Sequence, residues 1–345
     1  MKKALFLVLI WIVLASCSTI NYINIETFKP AEITFPSVVK KVLIVNNAVP
    51  QHEQSGYEFK FLGNKQDTAR AKADSALFDA CRALGMSILE TNYFSDVLLF
   101  HENTREDNDY LLDRKLSPTT VRTLCEETGA DAVISFDRLL FEMNKVINSI
   151  NPEFCNGIIK VQIAGIVRAY VPQREAPLAT VIMTDSIHWT ELGVPSLREL
   201  ERYLPNPEEA LREAGNYIGE RATPNFVPHW QNEVRWFYSG ITTEWKQGAA
   251  YASNQKWDNA EKVWESAYNK TKNETQKAKL ASNLAFVNEM QGEYSDALKW
   301  SEIAANYFKK KGEQSRDYQI QTLYKTGLQE RIRENQKLNI QFGDS

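Results

Sequence analysis

Few residues in this sequence have the types and spacing needed for catalysis or metal binding. The four histidines, His52, His101, His188 and His229, are far apart, and no two have the spacing of metal ligands such as HExxH. No GxSxG, SxxK, P-loop or GxGxxG motif occurs, so the common hydrolase and nucleotide-binding signatures are absent. The sequence therefore predicts no metal site and no cofactor, and it favours a non-enzymatic protein.

One isolated carboxylate could still serve a functional site. Asp185 interrupts the apolar face of a predicted strand, where a carboxyl group can acquire a raised pKa. The structural alternative is a strand-end carboxylate paired with Arg168 or with backbone donors. His188 is expected on the solvent side of the same strand.

The cysteines of the folded part indicate packing rather than chemistry. Cys81 and Cys125 fall on the apolar faces of two predicted helices, where a free thiol behaves as a small hydrophobic group. Together with Cys155 they make an odd number, so they cannot all pair. No CxxC motif is present, which argues against a redox site or a zinc ribbon.

The amino terminus has the pattern of an export signal. Lys2 and Lys3 precede an apolar run from Ala4 to Ala15, which is shorter than the roughly 20 residues that span a bilayer as a helix. The run ends in Leu14-Ala15-Ser16-Cys17, which resembles the lipobox of bacterial lipoproteins. The resemblance implies that Cys17 is acylated, becomes the mature amino terminus and anchors the protein in the membrane.

The residues after Cys17 bear on the destination of the protein. Residues 18–22 contain neither an aspartate directly after the cysteine nor an acidic run. In the lipoproteins that the motif resembles, these features mark retention in the inner membrane and export to the surface. The resemblance therefore implies the outer membrane, on its periplasmic face rather than on the cell surface.

Composition indicates an ordinary globular chain with room for two cores. The sequence has 345 residues, 43% of them hydrophobic, and a formal net charge of −4. A slight acidic excess gives no clustered positive surface for nucleic acid, which we exclude as a partner. The predicted division is a signal peptide (1–16), a lipidated cysteine with a tether (17–37), a mixed-sheet α/β domain (38–239), a helical repeat domain (240–336) and a tail (337–345).

Strands and helices alternate in the first half of the mature chain. Apolar runs at 42–45, 97–100 and 132–136 predict strands, and helices are predicted from about Asp67 and from Ser117. The charged stretch 102–115 predicts a solvated loop. Further signals predict two antiparallel strands with one wet face at 159–171 and 179–189, a helix from Asn206 and a strand at 230–238.

This order of elements predicts an α+β domain with a mixed sheet. It is similar to the small periplasmic domains of the TolB amino-terminal region and of the curli-secretion lipoprotein. The resemblance covers roughly residues 40–239.

A repeat follows in the last third of the chain. Trp257-Asp258-Asn259-Ala260 and Tyr294-Ser295-Asp296-Ala297 are self-similar at an offset of 37 residues. With Gly248 and Trp264 they resemble the tetratricopeptide repeat, a helical hairpin of about 34 residues. The resemblance implies an all-α domain of two hairpins, capped by a helix from about Gln314 to Gln336. Combined with the lipobox, it points to an uncharacterised family of Bacteroidota tetratricopeptide lipoproteins.

The same resemblance places candidate peptide-binding residues on the first helix of each hairpin. By motif position they are Trp245, Ala249, Ala252, Ser282, Phe286 and Glu289. Trp245 and Ala249 stand where the clamp for a terminal carboxylate needs lysine and asparagine, so that class of ligand is not expected.

The sequence thus predicts a non-enzymatic outer-membrane lipoprotein that acts as a protein- or peptide-binding assembly adaptor for an unidentified partner. Two alternatives remain open: a small-ligand-binding protein or enzyme with its site on the α/β domain, and a component of envelope secretion. A deep polar pocket that contains Asp185 would favour the small-ligand alternative. An open groove on the helices would favour the adaptor.

Overall fold

The computed structural model describes residues 19–66, 69–105, 107–151 and 154–343. Contacts divide this chain into two compact units. The α/β unit comprises residues 31–229 and 341–343, and the helical unit comprises residues up to 30 together with 230–340. The predicted class, an α+β domain with a mixed sheet followed by helical repeats, is confirmed.

The α/β unit contains a seven-stranded mixed sheet. Its strands are β2 (Lys41–Asn46), β3 (Tyr57–Phe61), β4 (Asn64–Lys65), β5 (Asp96–Leu99), β6 (Ala132–Asn151), β7 (Phe154–Tyr170) and β8 (Ala179–Val194). Its helices are α1 (Asp74–Glu90), α2 (Pro118–Thr128), α3 (Leu197–Tyr203) and α4 (Pro207–Ala222).

Strand β6 organises the sheet. Its first half pairs in parallel with β2, which also pairs with β5, and its second half pairs in parallel with β3. Along nearly its whole length β6 pairs antiparallel with β7, and β7 pairs with β8. Within the described chain β8 has a strand partner on one side only, so it is an edge of the sheet.

The two faces of the sheet are covered differently. One face packs against α1 and α4 in a core that includes Ile44, Leu77, Ile134 and Leu211. On the other face α2 covers only the parallel half. None of the described helices packs over the antiparallel half of that face, which we call the open face. Exposed residues on this face alternate along the strands with residues on the covered face, and this is the wet face that the sequence predicts.

Most predicted elements of this unit are confirmed. The strands at 42–45, 97–100 and 132–136 are present, and α2 begins after the N-cap Ser117 and ends at Gly129. Helix α1 begins at Asp74 instead of about Asp67, and β3, β4 and α3 were not predicted. Cys81 and Cys125 are buried free thiols, as expected, and burial raises the pKa of Cys125 to about 11.

The helical unit combines a two-stranded sheet with helices. The strands are β1 (Thr19–Lys29) and β9 (His229–Ser239). The helices are α5 (Thr243–Ser253), α6 (Trp257–Lys270), α7 (Glu274–Met290), α8 (Tyr294–Lys309) and α9 (Arg316–Phe342). The pairs α5–α6 and α7–α8 form the two expected hairpins. Gly248 permits the first crossing, because a Cβ there would lie 2.2 Å from Nε1 of Trp264.

The structure corrects the boundary of the expected tether at 17–37. Within that range Thr19–Lys29 is strand β1, and Ile33 and Phe35 are buried in the core of the α/β unit. The inward alternation of Ile25 and Thr27 is a strand signal. The sequence did not reveal this strand because Asn21 and Thr27 occupy inward positions where a strand usually has apolar residues.

The structure also moves the predicted boundary at residue 239. The expected strand at 230–238 exists as β9, but contacts assign residues 230–239 to the helical unit. The physical reason is that β9 pairs with β1 and that Phe237 and Tyr238 are buried in the core of the helices.

Candidate functional site

The candidate site lies beside a gap in the sheet. β2 pairs with β6 as far as Phe136, and β3 pairs with it only from Met143. Between these points Gln51 replaces a strand: the N–H of Phe141 donates to Oε1 of Gln51 at 2.5 Å, and Nε2 of Gln51 donates to the Phe141 carbonyl at 3.1 Å. Gly56 then turns the chain into β3 with a φ of 80°, and a Cβ there would lie 2.7 Å from the Phe141 carbonyl oxygen.

A pocket of about 730 Å³ opens on the sheet next to this gap. Its floor is formed by residues 140–142 of β6, 162–164 of β7 and 184–186 of β8. Its walls are formed by Gln51, Ser55, Gly56, Tyr110 and Leu111. The volume lies within the range of about 300–1,000 Å³ that is usual for small-molecule sites.

Strand alternation determines which floor side chains face this pocket. Phe141 and Ile163 are buried in the core on the helix-covered side, so their neighbours in sequence face the open side. The strand register aligns these neighbours in two rows: Glu142, Gln162 and Ser186 in one, and Leu140, Ala164 and Thr184 in the other.

The two rows differ in chemistry. Glu142, Gln162 and Ser186 are exposed, and among the residues that the structure describes their side chains have no hydrogen-bond or ion-pair partner. The second row adds the apolar surface of Leu140 and Ala164. Since adjacent strands lie about 4.8 Å apart, the polar row extends over roughly 10 Å. The floor therefore offers a polar strip beside an apolar one.

The loop at 100–117, whose charged stretch 102–115 was expected to be merely solvated, forms one wall of the pocket and is held in place. The hydroxyl of Tyr110 donates to Oγ of Ser55 at 3.2 Å. Arg138 donates to a main-chain carbonyl of the loop at 3.2 Å. Both Nη atoms of Arg168 donate to the carboxylate of Asp113, at 2.6 and 2.7 Å. The hydrogen bond from Arg168 lowers the pKa of Asp113 below its usual value.

Arg168 also connects this loop to a buried carboxylate. Asp137 lies at a register shift in β6 and is fully buried. It accepts hydrogen bonds from Arg168 at 2.7 Å, Ser135 at 2.8 Å, Asn47 at 3.0 Å and the hydroxyl of Tyr170. Burial raises the pKa of Asp137, and the four donors act in the opposite direction.

This network occupies the carboxyl ends of parallel strands, where α/β proteins commonly place functional groups. Its members satisfy one another, and Asn47 also donates to the carbonyl of Arg114 in the loop at 2.7 Å. We therefore assign it the role of positioning the loop that forms the wall of the pocket.

Asp185 contributes to the pocket floor, and the structural alternative is confirmed through a backbone donor: the carboxylate accepts the N–H of Ser186 at 2.8 Å, whereas Arg168 is not its partner and the pKa of Asp185 is not raised. Its strand position turns the carboxylate away from the open face, towards α4. Burial opposes ionisation there, but the N–H of Ser186, the hydroxyl of Tyr217 at 2.8 Å and the guanidinium of Arg221 at 3.4 Å together lower its pKa. His188 is exposed on the other face of the strand, as expected.

The structure does not provide the open peptide groove that was expected on the helical unit. Of the six candidates, Trp245, Ala252, Ser282, Phe286 and Glu289 are buried, and Ala249 is partly buried against the same core. They are packing residues rather than an accessible surface.

The chain's own strand β9 fills the space where this groove was expected. The ring of Phe237 stacks on that of Phe286 at 5.8 Å. The side chain of Asn283 accepts a hydrogen bond from the N–H of Tyr238 and donates to its carbonyl, both at 2.7 Å. Arg235 pairs with Glu289 at 2.7 Å. Motif position alone could not reveal that a segment preceding the repeat covers these helices.

The remaining expectations concern the amino terminus and metal binding, to which we add the question of membrane-spanning helices. Cys17 and the signal peptide lie outside the described residues. No group of three or more His, Cys, Asp or Glu side chains in the described segments has the arrangement of a metal site. From residue 19 onward, no described helix has both the length and the apolar character required to cross a bilayer.

The sequence did not identify the polar row of the pocket. Glu142, Gln162 and Ser186 occupy solvent-side positions of alternating strands, and such positions look like ordinary surface. No local sequence pattern indicated the role of Gln51 either. Asp185 was the useful indication in the sequence: it lies on β8, which contributes to the pocket floor, but its side chain faces the opposite side of the sheet.

These features define a two-unit protein with a walled pocket on the open face of its α/β unit. The chain belongs to the family described as DUF8603, a domain of unknown function, which matches residues 39–238. A second family, DUF6340, also described as a domain of unknown function, matches residues 246–330. Membership of the tetratricopeptide family stays a prediction.

Similarity to other known proteins is distant. No curated protein matches the chain. The PelC dodecamer from Paraburkholderia phytofirmans is 10% identical, with 59% of this chain and 97% of that chain covered and a TM-score of 0.23. The hypothetical protein CT253 from Chlamydia trachomatis is 8% identical, with 54% and 96% covered and a TM-score of 0.24. Likenesses of this size carry no functional information.

Proposed function

We propose that this protein is a lipid-anchored envelope protein that binds a small ligand in the pocket of its α/β unit and catalyses no reaction. The observation that carries the proposal is the row of Glu142, Gln162 and Ser186, whose polar side chains face a pocket of about 730 Å³ without a partner among the described residues. The convergence of a few polar groups on apolar surface is typical of small-molecule sites. Asp185 contributes to the floor of this pocket, while its carboxylate faces the other side of the sheet.

Filling the pocket tests this proposal. Ala164 lies in the floor, in the middle of the second row, so Ala164→Phe should occupy the ligand's space. Thr190→Phe is the matched control, because it adds the same ring at an exposed position of the same sheet face outside the pocket. A compound from an envelope extract that remains bound to the wild type and to the control, but not to Ala164→Phe, in native mass spectrometry would support the proposal. Equal retention by all three proteins would contradict it.

The anchoring part of the proposal has its own test. Only Cys17 offers a thiol near the predicted cleavage point, so Cys17→Ala should abolish acyl labelling and release the protein from the membrane fraction or leave it uncleaved. Cys155→Ala is the control for loss of an unrelated thiol. Normal acylation of Cys17→Ala would refute the lipoprotein assignment.

The protein-binding adaptor remains a second candidate, now supported by β8 instead of the helical groove. Among the described strands β8 is paired on one side only, and its 16 residues include no Lys, Arg or Pro, the residues that commonly protect an exposed edge. Such an edge can accept an extended segment of another protein. Photo-crosslinking in cells from Ile182, with exposed Leu323 as the control, should then capture one protein from Ile182 alone.

A further inference from the structure

We infer that the pocket selects a small organic cation, an amine carried on an apolar body; this inference rests on the proposed small-ligand function. Glu142 is the one ionisable side chain that the strand register directs into the floor from the open face. Asp185 also contributes to the floor, but its carboxylate is engaged by Tyr217 and Arg221 on the other side of the sheet.

The lining contains no counter-charge for an anion. None of the described residues that line the pocket is Lys or Arg. Lys160 lies on the next row of the open face, and it makes no ion pair with Glu142 in the described chain. Arg168 is engaged by the carboxylates of Asp113 and Asp137. Arg138 donates through one Nη to the Leu111 carbonyl in the pocket wall. A carboxylate or phosphate placed beside Glu142 would meet a like charge, whereas an ammonium group there would gain a charge-assisted hydrogen bond.

The other lining groups suit the remainder of such a ligand. Leu140, Ala164 and Leu111 offer hydrocarbon surface, and Tyr110 adds an aromatic ring, which attracts cations as well as apolar groups. The hydroxyl of Tyr110 is fixed by Ser55, and its ring meets His52 edge to face at 5.2 Å, so this wall is held in position before any ligand arrives. Gln162 and its neighbours can bind neutral polar atoms of the ligand.

Three fluorescent probes with one shared skeleton test this charge preference at pH 7. Dansylcadaverine carries a free amine, N-acetyldansylcadaverine is its neutral derivative and dansylaminocaproate is an anion of similar size. The dansyl fluorescence of each probe is titrated with the full-length protein. We expect affinity to fall in the order amine, neutral derivative, anion.

Glu142→Gln separates charge from shape. The substitution keeps the size of an exposed side chain, so the fold should be preserved. It should weaken amine binding by about tenfold or more, as expected for the loss of a charge-assisted hydrogen bond, and leave the neutral probe unchanged. Glu58→Gln, on β3 and outside the pocket lining, is the matched control and should change neither.

The outcomes distinguish failure of this inference from failure of the proposed function. Equal binding of all three probes, tighter binding of the anion, or a cation preference that survives in Glu142→Gln would overturn the inference and leave a ligand pocket in place. Binding of no probe to the wild type, or binding that Ala164→Phe does not reduce, would count against the pocket as a ligand site and so against both.

Discussion

Single side chains replace regular structure at the points that shape the pocket. Gln51 supplies an amide where β6 has neither β2 nor β3 beside it, and its two hydrogen bonds satisfy both backbone groups of Phe141. Asp137 similarly collects four donors at the register shift in β6. Both are buried polar groups whose partners are fixed, so they give the sheet a defined edge beside the pocket.

Substitution of Gln51 should destabilise the α/β unit. Gln51→Ala leaves the N–H and carbonyl of Phe141 without their partners in a buried setting, which should cost about 1–3 kcal/mol in the free energy of unfolding. Urea denaturation of the purified protein measures this change. Gln173→Ala, at an exposed turn, is the control and should stay within about 0.5 kcal/mol of the wild type. Equal midpoints for the two variants would argue against the structural role of Gln51.

These residue-scale roles were inaccessible to sequence reasoning for a physical reason. Apolar periodicity reports which face of a strand is buried, and it predicted β2, β7 and β8. Of β6 it predicted only residues 132–136, so the half of the strand that carries Leu140 and Glu142 was missed. It carries no information about which polar side chain bridges a gap, because Gln51 and Asp137 act through partners about 90 and 31 residues away in sequence. The pocket row was missed because exposure alone does not distinguish a lining residue from surface.

At the scale of elements, close helix packing was the most predictable feature. The small residue expected at the first helix crossing is Gly248, and it lies against Trp264 as the pattern requires. The concave surface of the same helices was mispredicted, because β9 covers it and β9 precedes the repeat. A repeat pattern specifies contacts between its own helices, whereas the segment that occupies their outer surface is determined by tertiary structure.

Gly248 and Gly327 provide a matched pair for the packing of the helical unit. Gly248→Ala places a Cβ 2.2 Å from the fully buried Trp264 and should destabilise this unit by about 1–3 kcal/mol. Gly327→Ala, in helix α9, meets nothing within 4 Å and should stabilise by about 0.5–1 kcal/mol through better helix propensity. Thermal unfolding followed by circular dichroism measures both. A Gly248→Ala variant that melts at or above the wild-type temperature would show that the crossing tolerates a larger residue.

The loop at 100–117 should respond to acid through Asp113. The hydrogen bond from Arg168 lowers the folded-state pKa of Asp113 below its ordinary value of 3.8. The carboxylate therefore holds the loop fully above that pH, and the contribution is lost as the pH falls through the lowered folded-state pKa. Asp107 titrates separately, because its hydrogen bond from Arg105 holds its pKa at about 2.

Amide chemical shifts of residues 108–114 measure this loosening. In the wild type they should be constant from pH 7 to 5 and change below about 3.8, whereas in Asp113→Asn they should already have the values of the released loop at pH 7. A titration in Asp113→Asn that matches the wild type would show that another group controls the loop.

At the scale of the whole molecule, family boundaries and structural units divide the chain differently. The two family matches leave residues 239–245 between them, whereas contacts assign residues 230–239 to the helices. The discrepancy is expected physically: β9 continues in sequence from the α/β unit, so sequence families group it there, but its aromatic residues are buried in the other core.

Two fragments should reveal which boundary defines the folding unit. Residues 240–340 lack β9, so Phe286 and Trp264 lose the cover that Phe237 gives them, whereas residues 230–340 retain it. Because removing a large buried aromatic side chain costs about 3–5 kcal/mol, the shorter fragment should be less stable by at least about 3 kcal/mol. It should also bind a hydrophobic dye through the exposed core. Thermal melts and dye fluorescence of the two fragments measure these differences. If both fragments melt at the same temperature without binding dye, β9 is dispensable to the helical core and the family boundary is the physical one.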